Sequence, residues 1–303
     1  MGSMTPTVRA NVKAWECDVM EHMNVQYYLA RSAEASGQLQ VMLGLSTQPN
    51  LALIHRAERV LFMREMHNGD SYTVNSGILS IGENTLSIFS EMHNLDALPN
   101  DRESIAARFI IDVQLIDLDT GLPAAFPASA HCAAQAMTIE PPEDLRAKQV
   151  LPQPAQRDLT SAEHYGLFDT ARGTIEPWEC DARGYLHPRF FMSRCSDAVT
   201  HLQRHYGLTP RYRQQHGLGS AALEYNIEFH HSFRAGDALI TKSGLREMRG
   251  KTQHFFHWFF NAATGQTVAT VETTGTLFDF EARKSVPMPE ELRTLAEPHF
   301  IHF

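Results

Sequence analysis

Between Val25 and Leu43, the residues Leu29, Ala33, Ser36, Leu39, Gln40 and Leu43 trace an incomplete stripe at spacings of three and four, with Arg31, Glu34 and Gln38 elsewhere. That period predicts an amphipathic helix. Gly44 follows where a helix C-terminal glycine belongs. A second segment of this kind, Pro188 to Tyr206, is followed by Gly207. Short strand-like segments precede both helices, Val8 to Ala14 and Gly173 to Pro177, and four strand-like runs follow each. In the second half these runs are Ala221 to Phe233, Ala238 to Met248, Thr252 to Asn261 and Thr267 to Phe280. Ala235-Gly236-Asp237, Arg249-Gly250-Lys251 and Ala263-Thr264-Gly265 separate them as hairpin-type turns. One long helix with about five mostly antiparallel strands is an α+β layer in which the helix covers one face of a sheet.

The halves match each other residue by residue. Trp15-Glu16-Cys17-Asp18 recurs as Trp178-Glu179-Cys180-Asp181, an offset of 163. At the same offset Arg31, Ala35, Leu39, Gln40, Gly44 and Leu45 meet identical residues. Chance would supply about two such identities for ordinary residue usage, so the chain is a tandem repeat. Gly69-Asp70 pairs with Gly236-Asp237 at an offset of 167. The expected organisation is a first domain over 4–127, a proline-containing linker over 128–172, a second domain over 173–290 and a C-terminal tail over 291–303. Two such copies would pack most simply as an internal pseudo-dimer, and a homo-oligomer of pseudo-dimers is allowed.

Composition narrows the function. The 303 residues carry a formal charge of −9, which argues against a broad nucleic-acid or anionic-membrane footprint. The longest uncharged stretch, Gly121 to Ile139, is broken by Pro123, Pro127 and His131, so no membrane insertion is expected. Met1-Gly2-Ser3-Met4 looks like an expression scar, no secretory signal is apparent, and a cytoplasmic location is expected. Cys17, Cys132, Cys180 and Cys195 have no CxxC or zinc spacing and read as reduced, mostly buried thiols. Nucleophile-elbow, Walker, complete Gly-x-Gly-x-x-Gly and His-Glu-x-x-His motifs are absent. His230-His231 and His254 with His257 point to opposite faces of a strand, so no metal is expected.

The chemistry concentrates just before the first helix, in Asp18-Val19-Met20-Glu21-His22-Met23-Asn24-Val25-Gln26-Tyr27-Tyr28. A helix start presents unpaired N–H groups that polarise a carbonyl and stabilise an oxyanion. A nearby Asp can serve as nucleophile or as general base. Asn24 also suits a plain cap, His22 a structural histidine, and Trp15 and Trp178 core anchors.

The pattern Asp-x-x-x-His-Met-Asn-x-x-Tyr-Tyr resembles the hotdog-fold acyl-CoA thioesterases of the 4-hydroxybenzoyl-CoA thioesterase type. The resemblance implies two tandem hotdog domains, each an antiparallel sheet wrapped around a long helix. It implies hydrolysis of an acyl-CoA to acid and CoA, with no cofactor beyond the coenzyme A of the substrate. Carried over, the catalytic carboxylate falls on Asp18 and on Asp181, and the amide that polarises the carbonyl on Val25. Its counterpart Pro188 has no N–H to donate. Tyr185 and His187 replace His22 and Asn24, while the loop glycine survives as Gly184 but is Glu21 in the first copy. Pro188 favours Asp18 as the working site, Glu21 in place of the glycine points the other way, and both sites or neither remain alternatives. Glu21, Tyr28 and His187 become candidate substrate contacts, and the basic turn with Arg246, Arg249 and Lys251 a candidate holder of CoA phosphates. Phe190, Phe191, Phe255 and neighbouring aromatics could line an acyl tunnel. The alternatives are a non-catalytic acyl-CoA-binding hotdog protein and an enoyl-CoA hydratase-type hotdog.

Overall fold

The computed structural model describes residues 3–18, 20–97, 104–145, 154 and 156–303; Met1 and Gly2 lie outside them. The chain divides into two compact units, Met1–Lys148 and Gln149–Phe303. In the first, β1 (Thr5–Asn11) leads to α1 (Val25–Met42) and then to β2 (Leu51–Phe62), β3 (Ser71–Ile81), β4 (Thr85–Asn94) and β5 (Ile105–Asp117). Its strands lie in the order β1-β3-β4-β5-β2, each neighbour antiparallel. α2 (Ala128–Ala136) closes the unit.

The second unit opens with α3 (Leu159–His164) and β6 (Phe168–Thr174), followed by α4 (Arg189–Arg204) and the short α5 (Pro210–Gln215). β7 (Leu218–Phe229), β8 (Ala238–Arg249), β9 (Thr252–Asn261) and β10 (Thr267–Asp279) repeat the topology as β6-β8-β9-β10-β7, and β11 (Lys284–Val286) is added to β10. α6 (Glu290–Ala296) follows.

α1 starts where Asn24 accepts the Gln26 amide at 3.1 Å and stops at Gly44 with φ 74°, so both ends follow from local chemistry. Its stripe looks incomplete because its buried face is partly polar. Ser32 and Ser36 are buried and donate their hydroxyls to the carbonyls of Leu29 and Ser32. Ser32 also touches the buried Glu58 carboxylate, which His55 Nδ1 approaches at 3.2 Å. The second unit has the apolar-to-weakly-polar pair Cys195 and Tyr225 at those positions, both buried.

The stretch expected as linker contains α2 and α3, and the stretch expected as tail contains all but the first residue of α6 and the core residue Ile301. α2 and α6 each begin after a proline, Pro127 and Pro289, and each delivers an isoleucine to the outer face of its sheet. Ile139 donates its amide to Ile78, Ile301 to Leu245. The isoleucines cover Gly77 and Gly244, where an added Cβ would lie 2.7 and 2.6 Å from their side chains. A repeat of glycine and plug is thus part of each copy. The sequence comparison missed it because α2 and α6 share little beyond the preceding proline. On β9, Phe255 packs with Leu202 of α4 and with Tyr206 just beyond it, whereas Phe256, Trp258 and Phe260 face Ile301, Leu167 and Ala162, so both faces of this sheet are buried.

Each sheet also repeats a buried polar ladder. Thr7, Ser76 and Ser90 link at 2.9 and 2.7 Å; Thr170, Ser243 and His257 link at 2.6 and 2.6 Å. Burial pushes the His257 imidazole down to about 3. Among the described residues, no helix is long and apolar enough to cross a membrane.

Gly77→Ala should destabilise the protein by about 1–3 kcal/mol through overpacking, and in the Gly77→Ala/Ile139→Ala double variant the losses should fall short of their sum. Urea unfolding of the three variants measures both. His257 gives a second expectation. The folded imidazole refuses a proton that the unfolded one takes near pH 6.5, so this contribution is full above that pH and is lost as pH falls toward about 3. Urea midpoints should therefore fall between about pH 7 and about pH 5, with a shallower fall in His257→Gln.

Candidate active site

Residues Ala14–Glu16 form a 3-10 turn, and in it the Glu side chain turns inward. Glu16 is 4% exposed; it accepts the Lys13 amide at 3.0 Å and pairs with Arg31 of α1, while its carbonyl accepts the Asn24 amide at 2.8 Å. The second copy repeats every contact. Glu179 accepts the Glu176 amide at 2.9 Å and Arg194 at 2.8 Å, and its carbonyl takes the His187 amide at 3.0 Å. Trp15 and Trp178 are therefore not core anchors: with the Glu pointing in, they point out and are 74% and 71% exposed. The thiols also differ from expectation, since only Cys195 is buried and Cys132 is exposed.

This anchored turn leads into a narrow hairpin. Cys17 and Met23 bridge it, the Asp18 amide donates to the His22 carbonyl at 2.8 Å, and the Glu21 amide to the Asp18 carbonyl at 3.1 Å. Glu21 has φ 63° where Gly184 has φ 80°, so the left-handed turn persists without its glycine. That conformation costs a non-glycine residue roughly 1–2 kcal/mol. Asp18 Oδ1 accepts the amides of Met20 (2.8 Å) and His22 (3.2 Å), and Oδ2 has no hydrogen bond among the described residues. Asp18 is exposed. Asp181 Oδ1 makes the equivalent pair with Arg183 and Tyr185, but its Oδ2 is held by the Arg183 guanidinium at 2.6 and 2.9 Å. One carboxylate is open and the other is clamped.

At the helix starts the contrast recurs. Asn24 spends its side chain on the Gln26 amide, and the Val25 N–H, at the start of α1, has no acceptor among the described residues. Pro188 has no N–H, and the next amide, of Arg189, donates to His187 Nδ1 at 3.3 Å. His22 Nδ1 lies 3.3 Å from Glu65 Oε1. Glu65 belongs to the β2–β3 connection, which the loop reaches through the Met23 amide on the Met66 carbonyl at 2.7 Å. Nothing in the sequence pattern marked Glu65, because its partner lies 43 residues upstream.

The remaining candidates are dispersed. Tyr28 is buried against Phe62, which pushes its hydroxyl well above the ordinary range. Arg246 lies over the Phe303 ring at 5.3 Å, Arg249 pairs with Glu247 at 3.6 Å, and Lys251 is exposed. Arg249 ends β8, whose other end adjoins the Asp181 loop through the Ile175 amide on Asp237. At about 3.3 Å per residue the turn is roughly 35 Å along the strand from that loop, so it does not serve the Asp181 site. Phe191 and Phe259 pack together at 5.5 Å in the core of the second unit.

The family model described as the thioesterase-like superfamily matches residues 12–146 and 175–295. The chain belongs to the thioesterase-like superfamily. Its two superfamily segments take in α2 and most of α6; Ile139 lies within the first, and Ile301 lies beyond the second. Thioester hydrolysis is the activity that this family and the relatives support. The chain is 25% identical over 137 residues to a betainyl-CoA thioesterase of Pseudomonas aeruginosa, covering 44% of this chain and 86% of that one. Among solved structures, a Lactobacillus plantarum protein assigned as an oleoyl thioesterase superposes with TM-score 0.69 at 9% identity, covering 95% of this chain and 98% of its own. The 12:0-ACP thioesterase of Umbellularia californica gives 0.66 at 12% identity, with coverages of 89% and 93%. These likenesses establish the tandem hotdog fold; the 4-hydroxybenzoyl-CoA subtype is not singled out among superfamily members.

For a superfamily loop anchored in this way, Arg31→Leu should cost about 2–4 kcal/mol by stranding a buried carboxylate. Replacing Glu16 and Arg31 together by Leu should recover much of that loss. Chemical denaturation of the single and double variants measures the difference.

Proposed function

We propose that this chain hydrolyses an acyl-CoA thioester at the Asp18 loop of its first unit. One observation carries the reading: the Val25 N–H at the start of α1 and an oxygen of Asp18 in the hairpin that leads to it are both unengaged among the described residues, while their counterparts are a proline and a clamped carboxylate. The thioester oxygen would accept from Val25 N–H at the positive end of α1. Asp18 would take a proton from water as that water attacks the carbonyl carbon. The tetrahedral intermediate then expels the CoA thiolate, which recovers the proton, and the acid is released. In the other form of the reaction, Asp18 attacks directly, CoA leaves, and water cleaves the mixed anhydride. His22, braced by Glu65, would orient the loop and the incoming water.

A CoA-type substrate is supported by the family and by the name of the Pseudomonas aeruginosa relative. The chemistry needs no further cofactor, because the coenzyme is part of the substrate.

Asp18→Asn should keep the fold and lower kcat by roughly 10²-fold, whereas Asp181→Asn should cost much less. A panel of acyl-CoA substrates with free-thiol detection measures both and identifies the acyl group. Equal losses would remove the asymmetry between the copies, and wild-type turnover in Asp18→Asn would remove Asp18 from the reaction. Single turnover in heavy-oxygen water distinguishes the two forms, since only direct attack leaves label in Asp18.

A further inference from the structure

The wall of the Asp18 hairpin carries a feature that hydrolysis leaves unexplained. His22, Glu65 and His67 each present one ligand atom, and these atoms all lie within 4.8 Å of one another. His22 and His67 bridge through their backbones, with rings edge-to-face at 4.9 Å. A tetrahedral zinc ion with bonds of about 2.1 Å separates its ligand atoms by about 3.4 Å. The 3.3 Å between His22 Nδ1 and Glu65 Oε1 already has that spacing. His67, with a half-exposed side chain, places its ligand atom within 4.8 Å of the other two. Behind it, Asp70 Oδ2 lies 3.7 Å from His67 Nδ1, the carboxylate that commonly orients a ligating histidine.

The second copy supplies an independent observation. The equivalent bridge joins Tyr185 to Arg234, and the Arg234 guanidinium lies over the Tyr185 ring at 4.5 Å and donates to its hydroxyl at 2.5 Å. In the second copy a cation therefore lies against the counterpart of His22, supplied by the counterpart of His67.

We infer that His22, Glu65 and His67 bind a zinc-class divalent cation, and that the bound ion blocks the Asp18 site. Zinc displaces any proton held between His22 and Glu65 and leaves a coordination position for water. Neither group is then free to act on the loop. The blocking half of this inference rests on the proposed hydrolysis; the binding half does not.

The experiment titrates the chelator-stripped full chain with zinc in a calorimeter and with cobalt by visible absorption, beside His67→Ala. His67 touches neither Asp18 nor Val25 in the proposed reaction, so the variant should turn over like wild type. Wild type should bind zinc about tenfold or more tightly than His67→Ala and give a tetrahedral cobalt spectrum that the variant lacks. Zinc should suppress wild-type hydrolysis, reversibly with chelator, and spare His67→Ala. Matching isotherms and spectra would overturn the site, and zinc activation or equal inhibition of both proteins would overturn the block. If no CoA thioester is hydrolysed at all, the proposed function and the block fall, while the binding titration still decides the site.

Discussion

The active loop depends on a buried carboxylate tied to a helix arginine. Glu16 holds the 3-10 turn by its side chain, α1 by Arg31 and the hairpin exit by its carbonyl. Three segments that share little sequence proximity meet on one residue, so the position of Asp18 relative to the helix start is fixed by a single group. A half-buried ion pair contributes modest net stability, since desolvation offsets most of the attraction. What it supplies here is geometry. Glu179 and Arg194 reproduce the arrangement in the second unit, where the carboxylate beyond it is neutralised by Arg183.

The two copies have thus kept a scaffold and diverged at the chemistry. The anchored turn, the left-handed loop residue, the Thr–Ser ladder and the glycine under its isoleucine recur. The helix-start amide, the free carboxylate oxygen and the His–Glu pair occur in the first unit and have no equivalent in the second. Scaffold contacts are local or within a sheet, and each copy must make them to fold. The groups that differ lie outside those shared scaffold contacts.

Much of the fold was legible because its signals are local. The helix period, Gly44 and Gly207, the hairpin turns and the Trp-Glu-Cys-Asp repeat each lie within a few residues of the structure they specify. The turn at Asp18 and the helix starts at Val25 and after Pro188 were legible for the same reason. Glu16 with Arg31, and His22 with Glu65, were not, although the first pair recurs identically in both copies: identity marks a residue without naming its partner. The tryptophans misled because apolarity predicts burial only when nothing stronger claims the interior, and here the paired Glu does. Residues 128–145 and 291–303 read as linker and tail because their repeated content is a single isoleucine placed after a poorly matched helix.

Those isoleucines also impose an order on assembly. A chain growing from its N-terminus holds every strand of the first unit once Asp117 has emerged, yet the outer face over Gly77 stays bare until Ile139 follows. The same interval separates Asp279 from Ile301. During each interval the sheet is paired but uncovered, the form in which nascent β-structure is most prone to stick to other chains. Closure of each unit therefore waits on a segment that follows its last long strand, and not on strand pairing alone.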